Sequence, residues 1–368
     1  MGHWASGEKE GKRLVYKKKA AVLVCLLLVG SMMATTAAVS AKKPDNPGGG
    51  GGDDGGPTPT GTIYYGYPED GVGYMWTMDP DGSSRTKVGG LVGGSMSAEK
   101  HGGHYWYVRY QATGGKYPDG QWCEEIFAAR DDGGTPVQLT DDVSLATNYI
   151  CCPPAWGPGD AFISWSACRW GTDAGGDYVP EAGIYAASVT FDGNGDVTGI
   201  GEVTLVHDTG YWSASVGGGS NYYPVARDSL DWSPDGSEVV YGTNGGTYLY
   251  DTETDSSSKL TNGYYANWNP DGTLIALLDN NDLLTIKPDG TGRTTVVDLS
   301  NTKATNVSVQ RVLWSPDGEF MSYLVWKRSL VKFSTSSYIY VVQKDGTDDN
   351  CISKGLTANE WKVLRGWR

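Results

Sequence analysis

The chain has 368 residues, with 53 Gly, 14 Trp and 23 Tyr against only 5 Phe, and a formal net charge of −14. Gly at about twice ordinary usage, beside many rigid aromatics, argues against long helices and for short strands joined by tight turns. The acidic balance excludes nucleic acid as a partner and excludes anionic membrane over most of the surface.

The front of the chain differs from the rest. Its first 41 residues carry six Lys/Arg and two acidic residues, a surplus of +4, so the remainder stands at −18. Lys17, Lys18 and Lys19 precede an apolar stretch from Ala20 to Val29, and Val39-Ser40-Ala41 offers small residues where a signal peptidase cuts. Residues 1–41 are therefore predicted to be a signal peptide cleaved before Lys42, giving a periplasmic or secreted protein. The alternative is an uncleaved membrane anchor, since residues 20–39 are just long enough to cross a bilayer. That segment would be the chain's only contact with membrane, the rest lying outside the cytoplasm. Residues 42–60 alternate Pro, Gly and Asp with nothing to build a core, and are predicted to be a disordered linker.

From residue 61 onward one phrase recurs. It reads Trp232-Ser233-Pro234-Asp235-Gly236, Trp268-Asn269-Pro270-Asp271-Gly272 and Trp314-Ser315-Pro316-Asp317-Gly318, with a degraded copy at Trp156-Gly157-Pro158-Gly159-Asp160. The copies lie 76, 36 and 46 residues apart, which marks a small structural unit laid down several times. Pro presets the first turn corner, Asp accepts the second, and Gly takes the position of positive φ. An apolar strand follows each copy. A second phrase interleaves with the first, as in Leu283-Leu284-Thr285-Ile286-Lys287-Pro288-Asp289-Gly290 and Tyr338-Ile339-Tyr340-Val341-Val342-Gln343-Lys344-Asp345-Gly346. The unit is thus a Trp strand, an apolar strand, a Tyr/Ile strand and an outer polar strand. Four-stranded antiparallel units arranged radially make a β-propeller.

In chain order, Thr62–Tyr67, Gly73–Met78 and Arg85–Val88 are three strands of a split blade. Full blades follow over 92–142, 143–208, 226–262, 263–300 and 306–352. Residues Trp361–Trp367 supply the missing strand of the first blade and close the ring, leaving no free sheet edge there. The expected fold is all-β, a six-bladed propeller over 61–368. The unit at 143–208 is the irregular one, with a long connection from Gly171 to Pro180 after its second strand and a further loop over 209–225.

These phrases resemble the WD40-like PD40 repeat of the TolB family, found also in the propeller of prolyl oligopeptidases. The resemblance covers about 62–367 and implies a periplasmic or secreted six-bladed propeller that binds proteins or peptides. In the peptidases the propeller gates a separate hydrolase domain, for which this chain as read has no room. It also lacks the Gly-x-Ser-x-Gly nucleophile elbow of such enzymes.

Candidate chemistry is sparse. His101-Gly102-Gly103-His104 is a conceivable metal site with nearby carboxylates, but only His207 is otherwise available beyond the leader, and the pair is read as a turn. The Asp-Gly corners match no calcium loop. No catalytic residue, metal or cofactor is predicted. Of the cysteines, Cys123, Cys151, Cys152 and Cys168 are candidates for disulfides in an exported protein, Cys168 lying opposite residues 149–151 across a hairpin; Cys351 would be left over. Tyr211, Trp212, Tyr222, Tyr223 and Tyr264 form a candidate aromatic binding loop. The function expected is a non-enzymatic binding or scaffold module for protein or peptide partners. The alternative is a polysaccharide-binding protein, hydrolase or lyase using carboxylates at the central channel, with carbohydrate as the ligand.

Overall fold

The computed structural model describes residues 57–69, 72–89, 95–116, 122–141, 149–172, 178–211, 225–243, 245–280, 282–299, 307–329, 334–354, 356 and 362–368. The leader and most of the linker lie outside these residues. Thr60–Arg368 forms one compact unit.

The first blade opens with β1 (Ile63–Glu69), β2 (Val72–Met78) and β3 (Thr86–Gly89). The second contains β4 (Ser95–Met96), β5 (Trp106–Lys116), β6 (Trp122–Arg130) and β7 (Val137–Gln138). The third contains β8 (Tyr149–Trp156), β9 (Phe162–Thr172), β10 (Tyr178–Phe191), β11 (Val197–Ile200) and β12 (Thr204–Tyr211). The fourth is β13 (Val225–Trp232), β14 (Glu238–Thr243), β15 (Gly246–Asp251) and β16 (Ser256–Thr261). The fifth is β17 (Tyr264–Trp268), β18 (Ile275–Asp279), β19 (Asp282–Ile286) and β20 (Thr294–Val297). The sixth is β21 (Val307–Trp314), β22 (Phe320–Ser329), β23 (Ser334–Gln343) and β24 (Asn350–Cys351), after which β25 (Val363–Trp367) returns to the first blade.

Every pairing is antiparallel within a blade, and the order β25-β1-β2-β3 shows the ring closed by its last strand. Ile63 lies opposite Trp367 and Tyr64 opposite Gly366. The architecture is the six-bladed propeller that the repeats predict.

The third blade departs from expectation in two ways. Its outer position is shared by two strands: β11 pairs the far end of β10 at Val189–Phe191, and β12 pairs its near part at Glu181–Ala186. The break falls at Gly201-Glu202-Val203, where Gly201 N–H still donates to Ser188 O at 2.8 Å. Further, much of the expected 171–180 connection is paired strand, with Gly171 opposite Val179 and Thr172 opposite Tyr178. The β9–β10 hairpin simply runs on, because small and β-branched residues there suit a ladder despite their Gly content.

The turns follow the physics of their sequence. Gly318 N–H donates to Ser315 O at 2.9 Å, and Ser315 N–H to Phe320 O at 2.9 Å. The Asp317 carboxylate accepts the Ser315 hydroxyl and the Glu319 amide. Gly318 sits at φ 69°, and a Cβ there would lie 2.9 Å from the Asn269 side chain of the neighbouring blade. The turns at Gly236 and Gly272 repeat this pattern. The degraded copy has its own reason: Asp160, not Gly, ends the turn at φ 55°, and its buried carboxylate crosses to the second blade.

The core lies between blades. The first and second blades share Tyr64, Met75, Met96 and Tyr107. The second and third share Val108, Ile126, Ile163 and Trp165. The fifth and sixth, and the sixth and first, are joined likewise through Tyr323 and through Phe320 with Trp367. Trp232 packs edge-on to Phe162 at 4.8 Å and donates its Nε1 to Ser164 Oγ at 2.8 Å, joining the third and fourth blades. The fourth and fifth meet through Val240, Leu249, Trp268 and Leu277.

Replacement of Trp367 by Ala should cost about 3–5 kcal/mol in urea unfolding. The indole is 1% exposed and also donates to Thr60 O at 2.7 Å, at the strand that closes the ring. The exposed-turn control Thr254→Ala should stay within about 0.5 kcal/mol.

Candidate functional site

The six inner strands, β4, β8, β13, β17, β21 and β25, surround an axial cavity of about 240 Å³. It reaches the rim that carries the Pro-Asp-Gly turns, since Pro158, Pro234, Asn269 and Pro270 border it. Alternation of strand direction puts all first-to-second and third-to-fourth turns of the blades on this rim. The second-to-third hairpins and the blade-to-blade connections lie on the other.

Inner strands are short and must bend around the axis, and several do so through bulges. The β17–β18 register shifts between Tyr264 and Asn267, and the β21–β22 register between Gln310 and Val312. Tyr265 and Arg311, the bulged residues, sit at φ 57° and 59°. A left-handed conformation in a bulky residue costs on the order of 1–2 kcal/mol. Both residues border the cavity. Bulges of this kind re-aim a side chain that a regular strand would turn elsewhere.

Among the described residues, five charged side chains border the cavity, Asp160, Asp231, Arg311, Arg365 and Arg368, together with the phenol of Tyr265. Asp160 is 1% exposed and accepts the Ala98 and Glu99 amides at 2.7 and 2.9 Å and approaches His101 Nε2 at 3.0 Å. Asp231 Oδ2 accepts Asn267 Nδ2 and the Trp268 amide, each at 2.7 Å. Both carboxylates therefore tie neighbouring blades together. Arg368 donates Nε to Ser97 O at 2.6 Å, Nη2 to Met96 O at 2.6 Å and Nη1 to Trp367 O at 3.0 Å, joining the first blade to the second.

Burial pushes the Asp231 carboxyl up to about 7, outweighing the amides of Trp268 and Trp232 and the charges of Arg368 and Arg311, which pull it down. Burial also lowers Arg368, without bringing a guanidinium near neutrality at ordinary pH.

The His101–His104 segment is a turn, with reciprocal backbone bonds between the two residues. Its side chains diverge: His101 goes to Asp160, stacked on Phe191 at 4.3 Å, while His104 Nδ1 lies 3.2 Å from Asp131. His104, Asp131 and Asp132 do bring ligand atoms within 4.8 Å of one another. Asp132, however, is already engaged by the Arg130 guanidinium, with which a cation would compete.

Two of the aromatic residues singled out from sequence, Tyr211 and Tyr264, lie on the other rim. Tyr211 ends β12 and Tyr264 begins β17. Tyr264 is half-buried, meets Tyr265 edge-on at 5.3 Å, and borders a shallow depression with Asn262, Asp279 and Asn280. Trp212, Tyr222 and Tyr223 lie outside the described residues. So do the side chains of Cys123, Cys151, Cys152 and Cys168, although the backbone register sets Cys168 opposite Tyr149 and Ser166 opposite Cys152. Cys351 carries no disulfide. The channel residues were missed, although a signal existed: aligning the repeats on their Trp puts Tyr265 and Arg311 at the same offset, three residues before Trp268 and Trp314.

No protein-family model matches the chain, and no curated protein matches it. Solved structures are similar to it in fold. TolB from Acinetobacter baumannii aligns at 16% identity and TM-score 0.49, over 78% of this chain and 62% of that one. The present chain thus spans less than two thirds of that relative. A prolyl oligopeptidase B from Galerina marginata aligns at 13% and 0.41, over 78% of this chain and 44% of its own length. A putative 6-phosphogluconolactonase from Bacteroides uniformis aligns at 9% and 0.39, over 83% and 97%. The propeller assignment rests on the strand pairing described above.

The Asp231 carboxyl ionises near 3.8 in an unfolded chain and near 7 in the fold, so between those values the folded protein holds a proton the unfolded chain has lost. Its contribution to stability is fully present below the lower value and is lost as pH rises through the higher. Unfolding free energy should therefore fall from about pH 5 to about pH 8 more steeply in the parent than in Asp231→Asn. Equal slopes in urea titrations would show that Asp231 ionises normally.

Proposed function

We propose that this chain is an exported, non-enzymatic binding or scaffold propeller, and that its partner is a protein or peptide engaged at the axial cavity. The observation that carries the reading is the pair of bulged residues, Tyr265 and Arg311, held in left-handed backbone on adjacent blades and both bordering that cavity. Strained, re-aimed side chains on a rigid ring suit recognition. The two cavity carboxylates are spent on backbone amides and on Asn267 and His101, which suits a structural role better than acid–base work on a glycosidic bond. The Trp-Ser-Pro-Asp-Gly repeat, with its resemblance to the TolB family, favours a protein partner over a sugar.

Export follows in this proposal from the basic and apolar leader, with 42–60 as a tether freed by cleavage after Ala41. Among the described residues no helix is long and apolar enough to cross a membrane. The disulfides proposed among Cys123, Cys151, Cys152 and Cys168 belong to the same picture.

Affinity capture from the host's envelope extract, with residues 61–368 as bait, should enrich one protein that survives moderate salt. Retention or cleavage of a polysaccharide with no protein enriched would move the function to carbohydrate. N-terminal sequencing of the processed protein should start at Lys42; a start at Met1 would make the leader an anchor. Alkylation before reduction should label Cys351 and leave Cys168 unlabelled until a reductant is added. Labelling of both at once would remove the disulfide from the proposal.

A further inference from the structure

We propose that His104, Asp131 and Asp132 form a site for a divalent first-row transition ion of the zinc class, at the corner where the second blade meets the first and third. The site is separate from the axial cavity and from any partner bound there.

The first argument is geometry. The three residues come from two segments that the main chain holds together. Asp131 N–H donates to Tyr105 O at 2.9 Å, one residue from His104, and His101 and His104 exchange main-chain bonds at 2.9 and 3.1 Å. His104 Nδ1 stands 3.2 Å from Asp131 Oδ1 and 3.7 Å from Asp132 Oδ2, and one ligand atom from each of the three lies within 4.8 Å of the others. Donors about 2.1 Å from a tetrahedral ion stand about 3.4 Å apart. The two edges at His104 bracket that spacing, so side-chain rotation brings the donors onto an ion with the main chain unmoved. The His101-Gly102-Gly103-His104 motif suggested two histidines on one ion; the turn sends them apart, and the Asp131-Asp132 pair stands where a second histidine was expected.

The second argument is chemistry. An imidazole nitrogen with two carboxylates suits zinc and its neighbours, whereas magnesium and calcium take oxygen. The His104, Asp131 and Asp132 side chains are 30%, 16% and 39% exposed, which gives an ion a path in. Three protein ligands leave a position open for water or for a donor brought by a partner.

The third argument is charge and competition. Arg130 holds both oxygens of Asp132, and its Nη1 lies 3.5 Å from Asp196 of the third blade. With His104 in the neutral form that ligation requires, this corner sets one guanidinium against Asp131, Asp132 and Asp196. Two negative charges remain, and a divalent ion balances them. Arg130 is the competitor, but an exposed ion pair shifts an equilibrium by less than about tenfold. Arg130 can yield Asp132 and keep Asp196. Bound there, the ion ties the turn after β6 to the His101–His104 turn. Gly89 of the first blade packs on the former, a Cβ there falling 2.7 Å from Asp131 O, and His101 carries the latter to Asp160.

The test is isothermal titration of the full processed chain with ZnCl2 and, separately, MgCl2, after alkylation of free thiols so that Cys351 cannot hold the ion. One equivalent of zinc should bind, more tightly than magnesium. His104→Gln should weaken zinc at least about tenfold, because even outer-shell changes at metal sites cost about 10–100-fold. Asp131→Asn should weaken it too. Arg130→Gln removes the competitor and should tighten binding by up to about tenfold, a gain that a folding defect cannot produce. Zinc should raise the urea midpoint of the parent and leave that of His104→Gln unchanged. An absence of saturable binding would overturn the proposal, as would zinc binding untouched by His104→Gln. Magnesium bound as tightly as zinc would overturn the transition-ion assignment. Affinity unchanged or weakened in Arg130→Gln would remove Asp132 from the ligand set and with it the three-ligand site.

Discussion

A blade of four strands cannot bury both of its faces alone. Each sheet here covers its neighbours, and the apolar clusters of the molecule lie between blades more than within them. Closure is therefore the condition on which the rest of the structure depends. If β25 leaves β1, two sheet edges and the cluster around Trp367, Phe320 and Leu324 meet water together. The polar contacts follow the same logic. Arg85 reaches from the first blade to Ile352 O and Lys354 O of the sixth, and Arg368 from the first to Met96 O and Ser97 O of the second. Two arginines thus brace the closing blade on both sides with bonds to main-chain carbonyls, which do not titrate.

Closure also dictates what the axis looks like. Six inner strands meeting around a narrow channel cannot all stay regular, and the ladder gives way at bulges in β8, β13, β17 and β21. At the bulges in β17 and β21 the residues displaced from the ladder, Tyr265 and Arg311, border the channel. The carboxylates of Asp160 and Asp231 then serve as inter-blade pins, each accepting main-chain amides across the gap. A carboxylate that pins backbone in a low-dielectric channel has little capacity left for proton transfer to a substrate. The raised Asp231 carboxyl is in this light a consequence of ring geometry, since the strand that supplies the amide also excludes water.

The fold was legible because its signal is local and repeated. Trp, Pro, Asp and Gly each have a separate job in the first turn of a blade, and three strong copies locate three blades without any long-range information. The split blade could be read because its three strands at the front of the domain lacked a fourth, which the Trp361–Trp367 segment could supply. The third blade was misread in detail because strand extension through Gly171 and Thr172 depends on a partner strand, which composition does not show. The channel was illegible for another reason. A residue's direction at a bulge depends on ring curvature, and Arg311 reads in sequence as an ordinary outward polar residue of a strand. Aromatic residues attracted attention because they are conspicuous; those described, Tyr211 and Tyr264, mark the opposite rim.

The two rims answer to different constraints. The turn rim is built from near-identical hydrogen-bonded corners whose Asp carboxylates accept the residue two positions on, as at Asp235, Asp271, Asp289 and Asp345. Those carboxylates are committed locally, and bonds from neighbouring hydroxyls and amides hold the pKa values of Asp235, Asp289 and Asp345 below the usual range, so these three contribute fixed negative charge on this rim at any ordinary pH. The opposite rim, with its longer blade-to-blade connections and half-buried Tyr264, carries no such repeated charge pattern among the described residues and is free to vary without disturbing the corners that hold each blade together.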